Sequence, residues 1–272
     1  MHFYIILKKY IRVHLFFMSK HRNKNKHINN INSNSINNKS YIYMSEGIPI
    51  YRMDISDFYN PYTLNIFSDA SMKNTKNGKD YECYGAICVC QDRIIDHFYI
   101  PVEHESINHC EISGVRLALS FADKYKFQFK NINIFSDSLF SIKGLTEYIY
   151  TWKFDESVNS LRSTSSNKIV SQQSIFIECK NILDNIYLCN PNIKLYHQSG
   201  HVSNTEDSII QAAEKFREFN DFYGLIDINF IAYISKYNNK IDKTTRSYLN
   251  LIDLENECCT QPILFFPTSE IR

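Results

Sequence analysis

The chain has 272 residues, 44% of them hydrophobic, with 30 Lys and Arg against 29 Asp and Glu. That length holds one large domain with additions or two small ones, and the apolar fraction supports a buried core. No run of about 18 apolar residues occurs, which argues against a helical membrane span, and eight cysteines without a C-x-x-C pair point to free thiols in a reducing, intracellular and cytoplasmic setting rather than to a disulfide scaffold or a zinc site.

The near-neutral balance hides a division. Residues 1–45 contain eight Lys or Arg and no acid, whereas the remainder holds all 29 acids against 22 bases. This basic leader is Asn-rich, as in Asn29-Asn30-Ile31-Asn32, and has no sustained helical or strand period, so it is expected to be disordered. A basic, acid-free start also has the composition of an organelle presequence, although Lys8, Lys9 and Arg12 interrupt any secretory apolar region.

Tyr62 to Ser68 reads as the first strand, followed by a polar turn from Met72 to Asp80. Tyr84 to Cys90 and Arg93 to Val102 form a hairpin about Gln91-Asp92. A helix around Glu111 follows, with Ile112, Val115, Leu119 and Ala122 on one face. Then come a strand over Ile132 to Ser136, a helix over Leu139 to Tyr150, and a polar, Ser-rich loop from Phe154 to Lys168. Ser174 to Ile186 is helical, with the stripe Phe176, Cys179, Leu183 and Ile186, and Ile193 to Tyr196 is the last strand. Glu206 and Asp207 open a further helix running to Phe219. Three consecutive strands and then alternating helices and strands specify an α/β fold: a mixed five-stranded sheet flanked by helices.

One pentapeptide, Asn-Ile-Phe-Ser-Asp, occurs at Asn65 to Asp69 and again at Asn133 to Asp137. Each copy is an apolar strand ending on a carboxylate, and acids at strand exits point into the crevice where ligands and metals sit. Glu111, near the start of the intervening helix, is a third acid. Three acids from three elements suggest a divalent-metal site. Each also has a plain structural alternative: Asp69 as a turn former, Asp137 as a helix cap, and Asn108 with Glu111 as a capping box. Asp207 and Asp242 are alternatively acids in a helix's first turn.

The order Phe67-Ser68-Asp69-Ala70-Ser71, Tyr84-Gly85-Ala86-Ile87, Asn108-His109-Cys110-Glu111, Ile134-Phe135-Ser136-Asp137-Ser138 and Ser199-Gly200-His201 resembles the type 1 ribonuclease H family. Five motifs in sequence are far more specific than any one alone. The resemblance spans 62–249 and leaves the leader, 1–45, and a tail, 250–272, unmatched. It implies a ribonuclease H-like fold with a helical insertion at about 202–237 before the last helix. Asp69, Glu111 and Asp137 are then expected to be metal ligands. For the fourth ligand, Asn238-Asn239-Lys240-Ile241-Asp242, with its Thr-Arg continuation, matches the family's last motif better than the stretch around Asp207. Asp242 is preferred and Asp207 is the fallback.

The implied activity is endonucleolytic hydrolysis of the RNA strand of an RNA/DNA hybrid, leaving 5′-phosphate and 3′-hydroxyl ends. Two Mg²⁺ ions, with Mn²⁺ as a substitute, would activate the water and stabilise the leaving oxygen. His201 would transfer protons or help product leave, and Asn108 and Ser71 would contact substrate. Ile107 and Leu139 depart from the polar residues common in the family. The segment Trp152-Lys153-Phe154-Asp155-Glu156 is too acidic to replace the basic protrusion of some members. Two rival readings are a catalytically silent RNA- or hybrid-binding module and a superfamily nuclease with another nucleic-acid substrate. The acids weigh against a pure binder, which has no need to hold four carboxylates near a polyanion.

Overall fold

Alternating apolar residues and two long amphipathic helices build a sheet with a helical layer on each face. The computed structural model describes residues 44–45, 48–49 and 52–258, apart from 75–79, 104 and 223. The leader to residue 43 and the tail beyond 258 lie outside the described residues. Strands β1 (Thr63–Asn74), β2 (Asp80–Cys90), β3 (Arg93–Glu103), β4 (Asn131–Ser136) and β5 (Ile193–His197) lie in the order β5-β4-β1-β2-β3. The pairs β5/β4 and β4/β1 are parallel, and β1/β2 and β2/β3 antiparallel. The predicted mixed five-stranded α/β sheet is present.

Helices α1 (Ile107–Tyr125) and α3 (Gln173–Cys189) cover one face, where Leu64, Ile66, Ile134, Ile112, Val115, Leu119, Phe176 and Leu183 share a core. The other face is covered by α5 (Ile228–Cys258) and α4 (Glu206–Phe219), with Phe67, Phe135, Phe216, Phe230, Tyr233 and Tyr237 buried between them. Burying side chains of this size stabilises the fold by about 1.5–3 kcal/mol each. Strand β1 sits centrally with both faces covered, which is why even its polar Thr63, Asn65 and Ser68 are buried beside Leu64, Ile66 and Phe67.

Its two edges are managed differently. Outer strand β3 is half exposed and carries Arg93, Asp96, His97 and Pro101, residues that discourage pairing with another chain. On β5, Asn220 past the end of α4 acts as a one-residue strand: its Oδ1 accepts from His197 N at 2.8 Å, and its Nδ2 donates to His197 O at 2.7 Å.

The repeated pentapeptide lies beside itself. Asn65 pairs with Asn133, Ile66 with Ile134, Phe67 with Phe135 and Ser68 with Ser136. Asn133 Nδ2 donates to Asn65 Oδ1 at 3.0 Å, and the two Phe rings stack with centroids 5.0 Å apart. The two terminal aspartates therefore leave adjacent strands at the same level.

Several local expectations are corrected. The strands flanking the Met72 to Asp80 turn run on to Asn74 and start at Asp80, and the residues between them, 75–79, lie outside the described residues. Helix α2 (Leu139–Thr146) stops before Tyr150, and Tyr148–Tyr150 forms a 3₁₀ turn. The Ser-rich stretch after Phe154 is a small hairpin, Lys153–Asp155 against Ser160–Arg162, pinned by the Arg162–Asp155 ion pair and the buried Leu161. A single helix, α4, lies within the span expected for the helical insertion, whose last residues, from Ile228, are already the start of α5. That helix also runs past Leu249 to Cys258. Cys83, Cys88, Cys90, Cys110, Cys179 and Cys189 are free thiols, and no helix among the described residues is long and apolar enough to cross a membrane.

Candidate active site

Strand β1 and helix α5 run side by side and meet in a series of regular steps. Asn65 Nδ2 donates to the Tyr233 hydroxyl at 3.2 Å, and Phe67 stacks on Tyr237 at 5.3 Å. Asp69 and Asp242 are close enough to repel. Ser71 Oγ lies 2.8 Å from Thr245 Oγ1, and Lys73 Nζ donates to Asn250 Oδ1 at 3.0 Å. Every second strand residue, about 6.6 Å of rise, meets about every fourth helix residue, about 6 Å of rise. The matched spacings place Asp242 opposite Asp69. The helix has already run two turns along β1 before the acid appears, so Asp242 lies in its middle, not in a first turn.

The same alternation overturns one expectation. Because β1 continues to Asn74, Ser71 shares the α5-facing side with Asp69, and its hydroxyl is buried against Thr245 rather than presented to a ligand.

Asp69 in mid-β1, Asp137 just past the end of β4 and Glu111 near the start of α1 converge. Glu111 stands one turn into α1, whose cap is Ser106, accepting from His109 N at 3.2 Å. Asn108 and Glu111 therefore form no capping box; Asn108 is exposed in the first turn, and the Glu111 carboxylate is left for the site. Asp137 likewise does not cap α2, since Ser138 does, through Ser141 N at 3.2 Å.

Burial, and after it the charge of Asp137, holds Asp69 well above the ordinary carboxylate range, with Asp242 and Glu111 adding to the shift. Burial also raises Asp137 against the opposing hydrogen bond from Asn238. Burial raises Glu111 too, offset by Ser138 and reinforced by Asp137. These shifts mark a pocket with too much negative charge for its few cations.

Each acid is held by a different donor. Asp69 Oδ1 accepts from Ala70 N at 2.7 Å, and Glu111 Oε2 from the Ser138 hydroxyl at 2.6 Å. Asp137 Oδ2 accepts from Asn238 Nδ2 at 3.3 Å, and Asp242 pairs with Arg246 Nε at 2.8 Å. Among the described residues, no three acid, imidazole or thiol groups are already gathered at ion-binding distance. The donor set itself, carboxylates from four separate elements, with burial and repulsion favouring the protonated forms of Asp69, Glu111 and Asp137, fits a hard divalent cation.

His201 projects into solvent on the loop after β5, with Nδ1 3.6 Å from Asp242 Oδ2 and Nε2 3.4 Å from an Arg246 nitrogen. Its backbone is left-handed, φ 53°. The preceding Gly200 is required by contact: a Cβ there would stand 2.5 Å from Asp137 Oδ2. Asp207, the fallback, lies on the exposed side of α4's first turn, away from the other acids. Sequence reasoning missed Ser138 and Gln198 as neighbours of the acids. Only the position of Ser138, directly after Asp137, offered a signal.

No curated protein sequence matches this chain. Among solved structures, the foamy viral protease-reverse transcriptase in complex with RNA/DNA hybrid is 13% identical over 72% of this chain, with a TM-score of 0.42, and this chain spans about a quarter, 23%, of its length. The RNase H domain of prototype foamy virus is 15% identical over 60% of this chain and 96% of that domain, with a TM-score of 0.41. RNase H1 from the halophilic archaeon Halobacterium salinarum is 13% identical over 58% of this chain and 98% of its own, with a TM-score of 0.33. The RNase H family model matches residues 61–212, a span that holds Asp69, Glu111, Asp137 and His201 and ends within α4. With more than half of its length matched, the chain belongs to the RNase H family.

Proposed function

We propose that this protein is a metal-dependent endonuclease that hydrolyses the RNA strand of RNA/DNA hybrids. The observation that carries the reading is the convergence of Asp69, Glu111, Asp137 and Asp242, in which burial and the neighbouring charges, that of Asp242 among them, raise the proton affinity of Asp69 and Asp137, and burial and Asp137 that of Glu111. A group of acids that repel one another costs stability unless a cation binds among them, and a nuclease of this family has that use for them.

In this reading the four acids hold two Mg²⁺ ions, with Mn²⁺ able to replace them. Bound there, the ions supply a more nucleophilic water and neutralise charge on the leaving oxygen. The protein's own groups do the rest. Ala70 N and Ser138 Oγ hold Asp69 and Glu111 in fixed orientations. His201, exposed at the rim and facing Asp242, is placed to take or give a proton. Asn108, exposed at the start of α1, is available to a 2′-hydroxyl in the minor groove.

The test is cleavage of labelled RNA/DNA, RNA/RNA and DNA/DNA duplexes with and without Mg²⁺. The expected result is cutting of the RNA strand of the hybrid alone, only with metal, leaving 5′-phosphate and 3′-hydroxyl ends. Binding of hybrid without cutting at any Mg²⁺ or Mn²⁺ concentration would make the chain a silent module. Cutting of another duplex would change the substrate.

A further inference from the structure

Gln198 lies on the first turn of chain after β5 and is 1% exposed. Its Nε2 donates to Asn238 Oδ1 at 2.7 Å, and Asn238, also 1% exposed, donates from Nδ2 to Asp137 Oδ2 at 3.3 Å. Gln198 touches none of the reacting groups, and an apolar side chain would fill its place in the core without leaving Oε1 buried and without a donor among the described residues. Retaining an amide there costs desolvation.

The amide direction explains what it does. A carboxamide has one accepting and one donating end, and a core that holds it in one orientation decides which end faces its neighbour. Gln198, by donating, takes the oxygen of Asn238 and leaves the NH₂ toward Asp137. The reverse orientation would set Asn238 Oδ1 against the carboxylate.

We propose that Gln198 is a positioning residue, which acts through Asn238 to fix the carboxylate of Asp137 in the orientation from which it binds metal. A second contact grips the same residue at its backbone: His197 Nε2 donates to Asp137 O at 3.1 Å, and His197 is in turn held on both backbone polar groups by Asn220. The segment between β5 and the middle of α5 thus braces Asp137 from two sides. Outer-shell partners of a metal ligand are worth about 10–100-fold in metal affinity.

The inference rests on the metal-binding reading, and its test separates the two. Binding of Mn²⁺ to the full-length protein is measured by the paramagnetic resonance of free Mn²⁺, beside thermal melting of the metal-free protein. Gln198→Met, similar in length and apolar, is expected to bind Mn²⁺ about 10-fold more weakly while melting no lower than wild type. A Gln198 that merely fills space would give wild-type Mn²⁺ affinity in that variant, which overturns the proposal. On the wild-type protein, independent of how any variant folds, the side-chain NH₂ resonances of Gln198 and Asn238 are expected to shift together on addition of Mg²⁺. A shift at Asn238 with none at Gln198 overturns it as well. Gln198-dependent Mn²⁺ binding by a wild type that cuts no hybrid refutes the nuclease reading alone, and a wild type that binds no Mn²⁺ refutes both.

Discussion

Gly200→Ala is expected to disable the site with little damage to the fold. The backbone at Gly200 is not in the left-handed region, so an alanine meets no conformational objection, and only Asp137 stands in its way. The added Cβ would lie 2.5 Å from Oδ2 and 3.4 Å from Cγ. Restoring ordinary contact takes about 1 Å of movement by the carboxylate. Because the obstructed atom is the end of a side chain, the stability cost falls at the low end of overpacking, about 1 kcal/mol. The rate is more sensitive, since about 1 Å of misplacement costs on the order of 100-fold. The assay is single-turnover cleavage of labelled hybrid, paired with denaturant unfolding of the Gly200→Ala, Asp137→Ala and double variants. In the double variant the obstruction is gone, so alanine at 200 should carry almost no stability cost. A Gly200→Ala rate within about threefold of wild type would refute the reasoning, as would a cost that persists without Asp137.

Asp69→Asn should abolish cleavage and stabilise the metal-free protein at neutral pH. Burial and Asp137 raise the folded pKa of Asp69, so the folded state holds the proton more tightly, and wild-type stability falls as pH climbs from about 3.9, the unfolded value, through the raised folded one. Melting curves between pH 4 and pH 8 should show that fall shrink in the variant, and an unchanged slope would count against the cluster. Asp242→Asn should slow cleavage far more than Asp207→Asn, partly relieved by raised Mg²⁺; the opposite ranking would move the fourth ligand to α4. His201→Gly should slow turnover yet melt above His201→Ala, because φ is 53° there and a Cβ in that region costs about 1–2 kcal/mol. Melting in the reverse order would show that the loop relaxes in the variants.

The sheet was legible because its strands carry apolar runs between polar turns, and the helices because Ile112, Val115, Leu119 and Phe176, Cys179, Leu183 repeat at helical spacing. Asp69 and Asp137 were legible because each follows an apolar run, and Glu111 because it opens a helical stripe. Capping was not: Ser106, Asn108 and Ser138 are all good caps, and only backbone geometry decides among them. The placement of Asp242 in mid-helix had a signal in the apolar stripe Phe230, Ile234, Tyr237 and Ile241, which runs up to the acid from well before it. The inward turn of Ser71 followed from carrying the alternation of β1 past Ser68. The hairpin at Lys153–Arg162 left little trace because polar three-residue strands have no period to read. Gln198 was invisible for a different reason, since its partner Asn238 lies 40 residues away in the chain and Asn238 in turn 101 residues from Asp137, and they meet only through the packing of α5 on the sheet.

The self-paired pentapeptide has a consequence for how the molecule reaches its native state. From Asn65 to Ser68 the rungs between β1 and β4 join like to like, Asn to Asn and Phe to Phe, which is the arrangement that identical segments of separate molecules adopt when they stack. Nothing within these five residues distinguishes β4 from the β1 of a neighbouring molecule. Partner choice therefore rests on the connection: β2, β3 and α1 join the two strands in one chain and make the intramolecular match the nearer one. Until α1 docks, the chain exposes a self-complementary ribbon, and association between molecules competes with closure of the sheet in proportion to protein concentration.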